Sequence, residues 1–211
     1  AFINRATSVK PLYEEPFSKD DIDWILSRPD IDMETLLLVV QILQKLIESK
    51  DSETALFAAE SINQIEKRYT DKVNELRENL SRKRTVPPLR ELGETYYNLA
   101  LVNNARKGIR NFYLREAFAC FRELTRTNQR KNSDYVHTIN ISMRLNLNGQ
   151  AEKLLEEQKR VFGPRPETIM HEAENEFYRK NVFKVMRICK TCNIEKLQPK
   201  HARIAAFWRG Q

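Results

Sequence analysis

The sequence predicts an all-α fold in which a long helix precedes a solenoid of helix pairs, and three observations support this. Apolar residues recur every three or four positions through most of the chain, as they do on one face of an α-helix. The 211 residues include only 5 Gly and 8 Pro, few for the turns of a β-rich fold. An Ala motif that begins at Ala117 recurs 34 residues later, at Ala151. A fixed period of this length indicates stacked structural repeats.

The first 85 residues are predicted to lead into the repeats. Residues 1–32 form an irregular N-terminal segment with one short helix, from about Asp20 to Ser27, for which Ser18 supplies the N-cap. Residues 33–85 form an N-terminal helix pair. The helical apolar pattern of both its members is the reason for this assignment.

The two helices of this pair differ in length. The first runs from about Met33 to Ser49, and extra apolar residues such as Leu38 widen its stripe, which predicts burial on most sides. The second begins after a cap at Asp51 or Ser52 and ends near Ser81. Its apolar spine consists of Ala55, Ala59, Ile62, Ile65, Tyr69, Val73, Leu76 and Leu80. Gaps of three and four predict a helix that packs lengthwise against its neighbours.

Residues 86–211 carry the repeat pattern and a predicted C-terminal capping helix. The run Leu92-Gly93-Glu94-Thr95-Tyr96 is followed by the run Ala117-Phe118-Ala119-Cys120-Phe121. The two runs resemble a tetratricopeptide repeat, a helix pair with Leu-Gly-x-x-Tyr in its first helix and Ala-x-x-x-Phe in its second. The resemblance implies a tetratricopeptide-like solenoid whose first helix is lengthened by about twelve residues.

Weaker motifs continue the pattern towards the C-terminus. Ala151 opens a second Ala motif, and Asn148-Gly149 before it is expected to form the turn of that pair with a left-handed residue. The predicted helices after it run from about Glu167 to Arg179, from Val182 to Cys192 and from Pro199 to near Trp208. The last of them is expected to cap the open end of the stack.

Charge is unevenly distributed along the chain, whose net charge is +7. Residues 1–80 hold 10 Lys and Arg against 16 Asp and Glu, whereas residues 81–211 hold 26 against 13. This asymmetry favours either packing of the two parts against each other or an acidic partner for the second. Three cysteines make no disulfide framework, which indicates a reducing cytoplasm.

No motif for catalysis, a cofactor or a metal is found. The glycines are too far apart for a phosphate-binding loop or a dinucleotide fingerprint. Cys189-Lys190-Thr191-Cys192 is a lone C-x-x-C, short of the four ligands of a structural zinc site, and predicts one core thiol and one surface thiol. The chain is therefore predicted not to be an enzyme and to use no cofactor.

Two other sets of titratable residues have a structural interpretation. The histidines lie one to a predicted helix without a nucleophile beside them; they are His137, His171 and His201. Alternating glutamates on one helix predict a solvated acidic face; they are Glu172, Glu174 and Glu176.

A candidate binding surface follows from the repeat register, because the first helix of each pair lines the concave groove of such a stack. The residues placed there are Arg90, Glu94, Tyr97, Asn98, His137, Asn140 and Arg144. Asn and Arg can hold a peptide backbone or a carboxylate by hydrogen bonds. The alternative is an exposed polar surface without a ligand.

The densest positive region raises the question of nucleic acid. It comprises Lys107, Arg110, Arg115, Arg122, Arg126, Arg130 and Lys131. Binding of single strands would need aromatic side chains interleaved with these charges, but Phe118 and Phe121 are predicted to be core residues. No nucleic acid is therefore expected, and an acidic protein, the anionic face of a membrane or a solvated surface are the alternatives.

The segment Asp51–Glu60, continued through Ile65-Glu66 and Tyr69, resembles the PelE family. There a helix of the form (D/E)-x-E-x-x-x-(F/Y)-A-x-x-x-(I/L) precedes degenerate tetratricopeptide pairs, and the similarity covers about residues 33–208. The resemblance implies a non-catalytic scaffold of a Pel exopolysaccharide (biofilm) synthesis complex, with the cyclic-di-GMP receptor and the glycosyltransferase as protein partners. It also implies the cytoplasmic face of the inner membrane, with attachment through segments absent from this chain.

The chain begins at Ala1 rather than Met, and we interpret it as an excised part of a longer protein. Its expected function is that of a protein–protein interaction scaffold. The alternatives are a tetratricopeptide-type regulator that binds a signalling protein or peptide, and an RNA-binding repeat protein.

Overall fold

The computed structural model describes residues 19–28 and 31–210, and all regular structure in these ranges is helical. The predicted all-α class is thereby confirmed. The helices are α1 Lys19–Ser27, α2 Met33–Leu46, α3 Ser52–Arg82, α4 Val86–Val102, α5 Lys107–Leu124, α6 Asn132–Arg144, α7 Asn148–Phe162, α8 Pro166–Tyr178, α9 Val182–Thr191 and α10 Pro199–Arg209. The predicted cap at Ser18 lies outside the described residues.

The described residues fall into two compact units that divide between Arg68 and Tyr69, within α3. In the first unit, local caps define the helix starts: Asp32 accepts the backbone N–H of Thr35 before α2, and Asp51 accepts that of Thr54 before α3. Within this unit, the Arg68 guanidinium donates to the Leu26 carbonyl oxygen at 2.8 Å, which ties α3 to α1.

The prediction that the helix starting at Met33 is buried on most sides is wrong. α2 buries one face, represented by Leu36, Val39 and Leu43, whereas Leu38 is 51% exposed. A helix is covered only on the sides where neighbouring elements pack, so a rich apolar composition does not by itself bury the remaining sides.

The second unit is built from helices that pack in chain order. α4 packs on α5, α6 on α7 and α8 on α9, while α5–α6, α7–α8 and α9–α10 contacts join one pair to the next. Contacts also link α6 to α8 and α8 to α10. Packing between consecutive helices, with further contacts of α8 to α6 and to α10, is compatible with the predicted solenoid of helix pairs.

The first pair depends on close approach of its two helices. A Cβ atom placed on Gly93 of α4 would lie 3.1 Å from the Cys120 Cβ and 3.2 Å from the Phe121 ring, both on α5. Gly93 therefore allows α4 and α5 to approach closely at this point. Ala117 and Phe121 are fully buried in the same core.

Two details of the predicted pairs are wrong. The extra length is not in one helix, since α4 has 17 residues and α5 has 18, against 13 in α6 and 15 in α7. Asn148-Gly149 does not form the turn of the second pair, because α7 already begins at Asn148. The left-handed residue is Asn146, with φ of 60°, a conformation that asparagine tolerates better than most residues.

Within the described ranges, no helix combines the length and the apolar character needed to cross a membrane.

Candidate functional site

Every residue of the predicted binding surface lies on α4 or α6, the first helices of two successive pairs. We call this surface the α4–α6 surface; it consists of Arg90, Glu94, Tyr97, Asn98, His137, Asn140 and Arg144. These helices belong to the second unit, so the surface is built within one compact body.

Tyr97 joins the two helices at the centre of this surface. Its ring centroid lies 5.5 Å from that of His137 in an edge-to-face arrangement. The guanidinium of Arg144 lies 5.9 Å from the Tyr97 ring centroid, within the range of a cation–π contact. The structure thus brings three of the predicted residues together as a Tyr97–His137–Arg144 cluster.

His137 also contacts an aromatic side chain of the core, Phe121. Its ring stacks on Phe121 with centroids 4.6 Å apart and an interplanar angle of 11°. Burial lowers the pKa of His137, and the nearby Asp134 opposes this only in part. The imidazole is therefore mainly neutral at pH 7 and acts as an aromatic platform rather than as a cation.

Arg90 is already engaged within the protein. Its Nε donates to Asp134 Oδ1 at 2.8 Å and its Nη2 to Asp134 Oδ2 at 3.0 Å, while Nη2 also reaches the Gln129 carbonyl oxygen at 3.1 Å. The Asp134 side chain is fully buried. This bidentate pair links α4 to α6 and raises the pKa of Arg90, mainly through the hydrogen bond to Asp134.

Asp134 is the residue that sequence reasoning missed. It lies in the first turn of α6, where its Oδ2 accepts the Lys131 backbone N–H at 2.7 Å. An acid three residues after the N-cap position, here Lys131, is a local signal for capping. No local signal identifies Arg90, which lies 44 positions earlier in the chain, as the partner of Asp134.

The remaining predicted residues offer polar groups. Glu94 is exposed; desolvation raises its pKa, and Arg90 opposes this. Asn140 is half-buried, and its Oδ1 is buried without a hydrogen-bond partner among the described residues. Asn98 is half-buried on α4, beside Tyr97 in sequence.

The cysteines of the C-x-x-C motif, which lie outside the α4–α6 surface, are part of the packed interior. Among the described residues, no group of three His, Cys, Asp or Glu side chains is placed to hold a metal ion. The prediction of one surface thiol in the C-x-x-C motif is wrong, because Cys189 and Cys192 are both buried. The Arg209 guanidinium of α10 donates to the Cys189 carbonyl oxygen at 2.7 Å, so the motif lies beneath the last helix.

The alternating glutamates do not form a solvated face. Glu176 is 4% exposed and pairs with Lys184 Nζ at 2.6 Å, which ties α8 to α9. Glu172 is half-buried and pairs with Lys159. The prediction fails because lysines from neighbouring helices reach these carboxylates, a contact that spacing along one helix does not reveal.

Comparison of the chain with models of known protein families, with curated proteins and with solved structures finds no match.

Proposed function

We propose that this chain is a non-catalytic scaffold of tetratricopeptide-like helix pairs that binds a partner protein through the α4–α6 surface. The observation that carries the proposal is the Tyr97–His137–Arg144 cluster. Arg144 is exposed, and within the described residues it makes no ion pair, yet Tyr97 holds its guanidinium in place. A cation that is already oriented loses less side-chain entropy when a carboxylate binds it.

The polar groups around the cluster suit an acidic peptide segment. The half-buried Asn98 and Asn140 add amide groups on the same two helices, and the exposed Arg144 supplies a fork of donors for a carboxylate. Tyr97 and His137 add flat apolar surface between them. Aromatic and arginine side chains of this kind are those most often found at the centre of protein interfaces.

The tetratricopeptide-like assignment is supported by the packing of small and aromatic residues. Gly93 meets Cys120 and Phe121, and Ala117 is fully buried between α4 and α5. Ala151 is fully buried at the equivalent place of the next pair. The repeat motifs thus explain why α4 and α6 are the helices that carry the binding residues.

The resemblance to the PelE family supplies the candidate partners. They are the cyclic-di-GMP receptor and the glycosyltransferase of a Pel exopolysaccharide synthesis complex, at the cytoplasmic face of the inner membrane. The chain would hold these components together and turn over no substrate.

Capture of these two proteins tests the proposal. Wild type, Arg144→Glu and Arg115→Glu are compared as baits in cells that contain the candidate complex, with circular dichroism on each. Arg115 is a matched control, because it is an exposed arginine on α5, the second helix of its pair. We expect wild type and Arg115→Glu to capture the partners equally, and Arg144→Glu to bind about tenfold more weakly, since a charge-assisted hydrogen bond contributes about 1.5–3 kcal/mol.

Two outcomes would contradict the proposal. Equal capture by Arg144→Glu would remove this residue from the site. Failure of the wild type to capture either partner, together with retention of a short peptide or of RNA, would favour the regulator or the RNA-binding protein instead.

A further inference from the structure

The C-terminal part of the second unit concentrates positive charge. Residues 179–211 contain nine Lys and Arg and a single acidic residue, Glu195. Arg179, Lys184 and Arg209 are engaged in contacts inside the protein. Over the described part of the chain, the other six are exposed and make no ion pair; they are Lys180, Arg187, Lys190, Lys196, Lys200 and Arg203. Such a surface attracts an anionic partner.

The same helices expose large apolar side chains. Phe183 is 87% exposed and Phe207 is 72% exposed, and Val182 and Ile204 are also exposed. Single exposed apolar residues are ordinary on protein surfaces, but several of them among unpaired cations indicate an interaction site.

The α9 helix places these two kinds of residue on one face. Phe183, Arg187 and Lys190 are separated by four and three positions and so share a side of the helix. Val185 and Cys189 on the opposite side are buried in the core. The exposed face of α9 is thus apolar at its first turn and cationic along the rest.

The α10 helix also has cationic and apolar residues on its exposed face, with the cationic residues first and the apolar residues after them. Its exposed residues at helical spacing are Lys200, Arg203, Ile204 and Phe207, and Ala205 on the other side is fully buried. Ile204 also lines a pocket of about 310 Å³ together with Trp208 of α10 and Phe177 of α8. The apolar surface of α10 therefore continues towards α8.

We propose that the exposed faces of α9 and α10 bind the surface of an anionic lipid bilayer. Phe183 and Phe207 enter the boundary between headgroups and acyl chains, while the unpaired Lys and Arg residues contact the negative headgroups. The aliphatic Val182 and Ile204 favour lipid over nucleic acid, because hydrocarbon accepts any apolar side chain whereas bases stack on aromatic or guanidinium planes. The contact uses helices other than α4 and α6 and so goes beyond the proposed partner binding.

Sedimentation with vesicles tests this inference on the full chain. The probes are phosphatidylcholine vesicles with and without phosphatidylserine, and a single-stranded RNA as competitor. Lys200→Glu/Arg203→Glu reverses two unpaired charges, and Phe183→Ser/Phe207→Ser removes two exposed rings. The matched controls are Lys153→Glu/Arg160→Glu on α7, which reverses two exposed charges, and Phe112→Ser on α5, which removes a ring that is 55% exposed.

We expect the wild type and both controls to sediment with phosphatidylserine vesicles only. Lys200→Glu/Arg203→Glu should bind them about tenfold more weakly or worse, since one basic residue near the surface accounts for about a fivefold change in partitioning. Phe183→Ser/Phe207→Ser should also bind them more weakly, because it removes the apolar rings that enter the bilayer. Binding that is unchanged in the phenylalanine double variant would overturn the insertion of these rings. Equal loss in the α7 control and in Lys200→Glu/Arg203→Glu, or RNA binding without vesicle binding, would overturn the assignment of α9 and α10 to the bilayer.

Discussion

Removing one partner of the buried ion pair between Arg90 and Asp134 should destabilise the second unit far more than removing one partner of an exposed pair. The Asp134 carboxylate is fully buried and accepts three N–H donors, two of them from Arg90. Arg90→Met leaves this charge with the Lys131 backbone N–H alone. Breaking a buried pair by removing one partner costs about 3 kcal/mol of the free energy of unfolding.

The pair of Arg84 with Glu123 provides the matched control. Its geometry is equally good, with Nε 2.8 Å from Oε1, but the two side chains are 67% and 40% exposed. Arg84→Met is therefore expected to cost less than about 1 kcal/mol. Urea unfolding followed by circular dichroism gives both values, provided that the slope of the transition is unchanged.

A double-mutant cycle completes this test. Arg90→Met combined with Asp134→Asn removes the buried charge together with its partner. The double variant should be more stable than the sum of the single changes implies, by about 2 kcal/mol. An Arg90→Met protein as stable as Arg84→Met, or a cycle without coupling, would refute the argument that this pair holds α4 to α6.

Three further predictions follow from packing and titration. Gly93→Ala should lower the free energy of unfolding by about 1–3 kcal/mol, because the new Cβ would crowd Cys120 and Phe121. The control is Gly108→Ala, whose added Cβ meets nothing within 4 Å. This change should raise the free energy of unfolding by up to about 1 kcal/mol in the same urea assay. The pKa of His137 is lowered from 6.5 by burial, so as the pH falls the imidazole is protonated in the unfolded chain before it is protonated in the folded chain. The contribution of His137 to the free energy of unfolding should be fully present above about pH 6.5 and be lost as the pH falls through the folded-state pKa. The free energy of unfolding of His137→Gln, measured across this range, should therefore decline less steeply than that of the wild type. The three cysteine thiols are buried, and burial raises the pKa of Cys120 to about 12. They should therefore react with a disulfide reagent much more slowly in the native protein than after unfolding. One thiol that reacts fast in the native protein would contradict their burial.

The local parts of the fold could be predicted from the sequence because their causes are local. Asp51 begins α3 by accepting a nearby N–H, and Pro199 begins α10 with a ring already suited to the first helical turn. Gly93 and Ala117 could be assigned to a close helix contact because both are small residues at motif positions.

The contacts between helices could not be predicted in the same way. Stacking of His137 on Phe121 and pairing of Arg90 with Asp134 depend on the rotation of each helix and on its lateral neighbours. The sequence placed the candidate residues on the first helices of two pairs, but it did not indicate which of these side chains contact each other. Arg90 faces a buried carboxylate, a use of its donors that repeat register alone does not indicate.

Site-specific photo-crosslinking tests most directly the claim that a protein partner binds the α4–α6 surface. A photoreactive residue at position 140, in the place of Asn140, is compared with one at position 115 on α5, in cells that contain the candidate receptor and glycosyltransferase. The account predicts a crosslinked partner from position 140 that is lost when Arg144→Glu is added, and none from position 115. A partner crosslinked from position 115 but not from position 140 would contradict the account.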